Sequence, residues 1–384
     1  MIQRTGTGIW LFLGLSGIGI GCFSAFDNFY FHGLGYSVAV IGALTATFNI
    51  SLAVAELPSA VIFDRRSHWA AIQIGNGIRF VGILLFFFAF GPVGDFAGEA
   101  LAGVGAAAMS GTSVAYMLNR LGPVSDHERR RALGFSAALG AGTSLIGGAL
   151  GLMSFAHDPM LIWGAGAAWV GLAGIVFFIG RPRVRTLAER PTEPLSSYLA
   201  ALIAISRHPR AWLSVTADAA LVGPLLLWQL RLGTTSITAI FFGFAVMKAA
   251  GVLGGQLVTH RKVDGRLVLL CLACNIAAVI TFASVNAAIL IVLFFGIHVL
   301  LRIAVSAYCR SELHAVVDDG RRAGASSVVS LLGSLVTALA ALLVGRIADA
   351  GGPLLAMIPS IALYASVGVI TLASRRSAEP LESV

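Results

Sequence analysis

The chain has 384 residues, of which 57% are hydrophobic and only 11% charged, against roughly 25% charged in soluble domains. With a mean hydropathy of +0.88, a surface this apolar has no counterpart in a water-soluble globule, so the solvent is lipid. The net charge of +8 does not signal nucleic acid, because the basic residues stand in short clusters between apolar runs, the pattern of membrane orientation.

Taken in order, the sequence predicts twelve membrane-spanning segments, at about 9–30, 38–63, 69–90, 95–119, 132–155, 160–180, 211–230, 236–259, 266–283, 286–309, 323–347 and 354–373. Each is near the ~20 residues that cross a bilayer as a helix. The first run is longer than a signal-peptide core of about 7–15 residues, so it reads as a retained helix. The separation of the ninth and tenth runs rests on a few residues around Ala283–Asn286. The Gly-rich stretch 140–151 lies inside the fifth run, where small residues let helices approach closely; it reads as a packing face and not a phosphate loop. Cys271 and Cys274 have CxxC spacing, but no second pair or nearby histidine completes a metal site, and two small residues on one helix face is the simpler reading. No metal and no cofactor is expected.

Lys and Arg set the orientation. All but five of the 26 (Arg79, Arg231, Lys248, Arg302 and Arg346) fall in one alternating set of loops or at the chain ends. That asymmetry predicts a multi-pass protein of the cell (inner or plasma) membrane with both termini cytoplasmic. The longest loop, 181–210, opens basic and continues with Leu195, Tyr198, Leu199, Leu202 and Ile205 at helical spacing. It predicts an amphipathic helix on the membrane surface linking a six-helix bundle at 1–180 to a second at 211–384. The halves echo each other: Phe63-Asp64-Arg65-Arg66 with Thr259-His260-Arg261-Lys262, and Arg130-Arg131-Ala132 with Arg321-Arg322-Ala323. Internal repeats of this kind mark secondary transporters.

Ionisable groups inside a bilayer are costly and face a cavity or a partner. The sequence places Asp27, Glu56, Arg79, Glu99, Lys248, Asp218 and Arg302 within apolar runs, with His298 one turn before Arg302 and read as a substrate or proton site beside it or as a cavity-lining or packing histidine. Asp218 lies about seven residues into its run, or roughly 11 Å at ~1.5 Å per residue. A buried aspartate beside a cation that moves can take up and release a proton. Asp27 and Glu99 are read either as cavity groups or as interfacial groups near their helix ends. Phe29, Tyr30 and Phe31 fit an outer mouth and an aromatic belt equally well. Glu56 and Arg79 sit at similar depths on neighbouring antiparallel runs and are expected to form a structural ion pair. Lys248 is read as packing or substrate contact alike.

The stretch Glu56-x-Pro58 followed by Asp64-Arg65-Arg66 matches a known loop signature, E-x-P-x-G-x-x-x-D-R-x-G-R-K, with Ala60, Ser67 and His68-Trp69 as departures from it. With Ser110-Gly111-Thr112 and the two Arg-Arg-Ala sequences, it makes the whole chain resemble the major facilitator superfamily. That resemblance implies an all-α membrane fold of two pseudo-symmetric six-helix bundles. It also implies a cavity lined by segments 1, 4, 7 and 10, hence by Asp27, Glu99, Asp218 and Arg302 as substrate or proton sites. Glu99 stands where many proton antiporters of the family carry arginine. Glu56, Pro58, Asp64, Arg65 and Arg66 would form a gate, with Asp64 as a latch between halves. The expected activity is alternating-access transport of a small organic molecule, with protons as coupling ion, by a monomer in the bilayer. Export of a lipophilic or amphipathic compound is the leading form, and import of a polar or anionic metabolite the alternative. No nucleophile–base pair points to an enzyme; a membrane enzyme and a transporter-like sensor are the remaining classes.

Overall fold

The computed structural model describes residues 7–64, 67–122, 125–180, 203–260, 264–315, 317 and 322–374. Among them lie fifteen α-helices. They are α1 (Thr7–Ser24), α2 (Asp27–Gly33), α3 (Val38–Asp64), α4 (His68–Phe87), α5 (Gly91–Met109), α6 (Thr112–Leu121), α7 (Asp126–His157) and α8 (Leu161–Ile179). The series continues with α9 (Pro209–Ala219), α10 (Val222–Gly233), α11 (Ile237–His260), α12 (Gly265–Ser284), α13 (Ala288–Ala315), α14 (Arg322–Leu355) and α15 (Ile358–Ser374). Eleven segments are long and apolar enough to cross a membrane, and a twelfth, Ile358–Ala373, is shorter. The twelve expected spans are therefore all helical. The ninth and tenth separate at 285–287, as the sequence suggested. The amphipathic helix expected at 195–205 lies almost wholly outside the described residues.

Among the described residues four spans are interrupted, one of them by a kink near the end of α14, at Gly352 (φ +77°) before Pro353. Residues 25–26 divide α1 from α2, Ser110-Gly111 divides α5 from α6, and Ala220-Leu221 divides α9 from α10. Gly111 has φ +67°, a left-handed conformation that only glycine adopts at little cost. Pro224, in the first turn of α10, lacks the N–H that a continuous helix would need. Backbone breaks inside a membrane are tolerated where protein or a water-lined cavity satisfies the freed groups.

Helix starts carry side-chain caps. Ser125 and Glu128 form a reciprocal capping box at α7, Ser67 accepts from the Ala70 amide at α4, and Asp264 accepts from the Arg266 and Leu267 amides at α12. At α9 the His208 ring accepts from the Arg210 amide at 3.2 Å. Burial and the Arg210 charge hold His208 below its usual range, which keeps the ring neutral and able to accept.

The chain packs as two compact units. One comprises Met1–Tyr30 and Ile50–Thr192, the other Phe31–Asn49 and Glu193–Val384. Residues 31–49 pack with the C-terminal unit because the start of α3 lies backbone-to-backbone on α14: a Cβ on Gly42 would sit 2.5 Å from the Ala341 carbonyl oxygen. Within the first unit the glycine-rich face of α7 is pressed against α1. A Cβ on Gly147 would meet the Ile18 carbonyl at 2.0 Å, one on Gly151 the Cys22 carbonyl at 2.1 Å, and one on Gly21 the Ser144 carbonyl at 2.2 Å. This is close approach by small residues, as expected for 140–151, although Gly140 and Gly142 face open space.

Arg231, one of the five basic residues off the basic loops, closes the α12–α13 hairpin. Its guanidinium donates to the Ala283 carbonyl at 2.6 Å and to the Val285 carbonyl, satisfying the C-terminal end of α12, whose partial negative charge favours a cation. Arg231→Ala is expected to cost about 2 kcal/mol, the scale of lost hydrogen bonds to a charged group. A thermal-unfolding midpoint equal to that of the parent protein in the same detergent would count against this role.

Candidate functional site

The second unit holds a charged cluster at the break in its first span. Asp218 is the penultimate residue of α9, just before Ala220-Leu221. Facing it, α13 presents Arg302, Ser306 and Arg310, each four residues from the next and so on one helix face. Arg302 and Arg310 approach the two carboxylate oxygens of Asp218 at 3.5 Å each, and the Ser306 hydroxyl donates to Asp218 at 3.3 Å. Charge-assisted contacts close to about 2.7–2.9 Å when tight, so this carboxylate is shared loosely between two cations. Its side chain is 31% exposed and that of Arg302 23%, which leaves the pair open to solvent and to a ligand. The cluster carries one net positive charge. The sequence reading named Asp218 and Arg302, and the structure brings them together. It missed Ser306 and Arg310, which the four-residue spacing along α13 would have revealed.

His298 lies elsewhere. It is fully buried, with its Nδ1 2.9 Å from the Asn275 side-chain oxygen on α12. Phe295 and Tyr364 flank it, with ring centroids 6.3 Å and 5.9 Å away. One turn from Arg302 is thus not the same environment: the ring turns into the core and the longer arginine reaches Asp218. Lys248 packs its ammonium over the Phe244 ring, 4.7 Å from the centroid, a cation–π contact.

The first unit holds acids. Asp27 opens α2 at the break in the first span and accepts from the Asn28 amide at 2.8 Å. Glu99 on α5 stands close enough to Asp27 and to Asp95 for their charges to act on it. Sequence reasoning paired Asp27 with Glu99 only through the family resemblance and missed Asp95, which is 3% exposed and one turn before Glu99. The expected ion pair of Glu56 with Arg79 is not among the described ion pairs, which join Arg210 to Glu312 and Asp218 to Arg302 and Arg310. The Arg79 backbone lies close against α5, where a Cβ on Gly105 would stand 2.9 Å from its nitrogen. Glu56 is 7% exposed. Pro58 lies within α3, but its side chain and that of Asp64 are outside the described set, as are Arg65 and Arg66 altogether. Among the described residues no group of three or more His, Cys, Asp or Glu is placed to hold a metal ion.

Solved structures share this fold over nearly their whole length. A nucleoside transporter, NupG, is 12% identical over 98% of this chain and 99% of its own, with a TM-score of 0.73. A bacterial homologue of the human lysosomal transporter Spinster, inward-facing and occupied, is 14% identical over 96% of each chain at 0.71. The chain shares the fold of these transporters. The human organic anion transporter MFSD10 (TETRAN) has it too, at 13% identity over 96% of this chain and 99% of its own, with a TM-score of 0.67. No family model and no curated sequence matches the chain. At these identities the likeness shows the fold alone, a multi-pass helical architecture found in transporters.

Proposed function

We propose that the chain is a secondary transporter of a small organic molecule, working by alternating access and coupled to protons, with export of a lipophilic or amphipathic compound as its direction. The observation that carries this reading is Asp218, at a helix break, shared between Arg302 and Arg310 at 3.5 Å. A proton on Asp218 cancels the charge that holds both guanidiniums. Its release restores that hold. One proton therefore switches two cationic arms, and a two-state protein whose states differ in such contacts shifts between them accordingly. Asp27, Asp95 and Glu99 supply a second place where like charges compete for a proton. The basic loops support cytoplasmic termini in a cell (inner or plasma) membrane, with the chain as a monomer. Glu56, Pro58, Asp64, Arg65 and Arg66 are assigned to the gate on the strength of the loop signature.

A second reading, uptake of an anionic metabolite, is favoured by the net positive charge at Asp218, since guanidinium groups match carboxylates and phosphates. The organic anion transporter of the same fold is in keeping with it. Purified protein in vesicles, with a pH gradient imposed in either direction, separates the two. Ethidium, carboxyfluorescein and uridine serve as probes. Ethidium moving against the proton flow supports export, and carboxyfluorescein moving with the protons supports uptake. Movement of none of the three above protein-free vesicles would count against both.

A further inference from the structure

The first amides of α3 are satisfied from the far end of the sequence. Asp349, on α14, accepts from the Val38 amide through one carboxylate oxygen and from the Ala39 amide through the other, each at 2.9 Å. The Val40 amide goes to Ser37 at 3.4 Å, and the Ile41 amide to the Ser37 carbonyl. The amides of Val38, Ala39, Val40 and Ile41 are thus all bonded, the first two to a carboxylate 311 and 310 positions away. An anion here also meets the positive end of the helix dipole.

The contact below it is built for separation. Ala341, Gly345 and Asp349 stand four residues apart on one face of α14. A Cβ on Gly345 would lie 2.6 Å from the Val38 carbonyl oxygen, and one on Gly42 2.5 Å from the Ala341 carbonyl oxygen. At both glycines the seam is backbone on backbone. Asp349 itself is exposed, so water replaces the α3 amides at little cost once the helices part. α3 is also the helix that the packing divides: Val38–Asn49 goes with one unit and Ile50–Asp64 with the other.

We propose that Asp349 is a carboxylate latch that holds the start of α3 on α14 in one conformational state and releases it in the other. The latch rests on the alternating-access reading, in which α3 must leave α14 once per cycle. It lies at the opposite end of α3 from the Asp64-Arg65-Arg66 signature and sets the population of the closed state on that side. Removing the carboxylate withdraws the charge–dipole contact and both hydrogen bonds, which shifts the open-to-closed ratio by roughly 5-fold and at least about 2-fold.

The test is a distance measurement that needs no substrate. Spin labels on Leu34→Cys and Leu355→Cys, both exposed positions, report the α3–α14 separation in nanodiscs, with exposed Cys274 replaced by serine and the three buried cysteines kept. In Asp349→Ala the long-distance population is expected to grow at least about 2-fold over the parent, and in Asp349→Asn, which keeps an acceptor oxygen but no charge, by a smaller factor. A distribution in Asp349→Ala that coincides with the parent's overturns the latch. Should the alanine variant fail to yield monodisperse protein, a parent-like distribution in Asp349→Asn overturns it instead. Because no transported molecule is involved, a latch that fails here leaves the transport reading standing, and absence of transport in vesicles leaves a measured shift standing.

Discussion

Asp218→Asn is expected to reduce gradient-driven transport at least ~10-fold while leaving the yield of folded protein unchanged. Asparagine matches the shape of aspartate and keeps one oxygen for Ser306 and for one guanidinium, but it has no proton to exchange and no charge to hold Arg302 and Arg310. Two cations then face each other across a neutral amide that no longer holds both, a modest cost because all three side chains reach solvent. The step that depended on switching them is frozen in its protonated form. Exchange without a pH gradient should survive better than uphill movement, because it does not require the proton to leave. The measurement is paired: uptake into vesicles with and without a gradient, normalised to protein in the membrane. Full-rate uphill transport with unchanged pH dependence in Asp218→Asn would remove Asp218 from the coupling site.

Gly147→Leu is expected to abolish folded protein. A Cβ alone would stand 2.0 Å from the Ile18 carbonyl oxygen and 3.0 Å from the Gly21 Cα. Neither neighbour is a side chain that can swing away; both are backbone of α1. Relief requires the two helices to move apart along a seam that Gly21 and Gly151 hold equally tight, so the cost exceeds the ~1–3 kcal/mol of ordinary overpacking. Gly140→Ala is the matched control. Nothing lies within 4 Å of its Cβ position, and alanine is the better helix former by up to about 1 kcal/mol, so it should fold at least as well as the parent. Size-exclusion profiles and thermal midpoints of both variants in one detergent decide the matter. A monodisperse Gly147→Leu with the parent's midpoint would refute the packing account.

The spans were legible because lipid imposes their length and their apolar character on the sequence directly. The breaks within them were much less so. Gly111 and Pro224 are visible as letters, but which glycine or proline interrupts a helix depends on what satisfies the freed backbone, and that is a property of the neighbours. The same limit explains the site. Asp218 and Arg302 stood out as charges in apolar runs, and the structure placed them together. Asp95 and Asp349 did not, because each lies near the end of a run, where an acid needs no explanation. His298 was grouped with Arg302 by spacing alone. Spacing gives the face of a helix, but not whether a short ring and a long guanidinium on that face end in the same surroundings.

The seam between α1 and α7 also bears on how the chain is made. Gly21 faces Ser144, and Gly147 faces Ile18, so the contacts that fix the first helix are supplied roughly 120 residues later in synthesis. At ~5–20 residues per second the first span waits about 6–25 s in the bilayer with its glycine face uncovered by protein. During that interval it has no partner of its own for the groove where α7 will lie, and the same small-residue surface suits any passing helix. Correct assembly of this unit therefore belongs to the period after most of it has been inserted, and the most error-prone moment in its biogenesis precedes the arrival of residue 144.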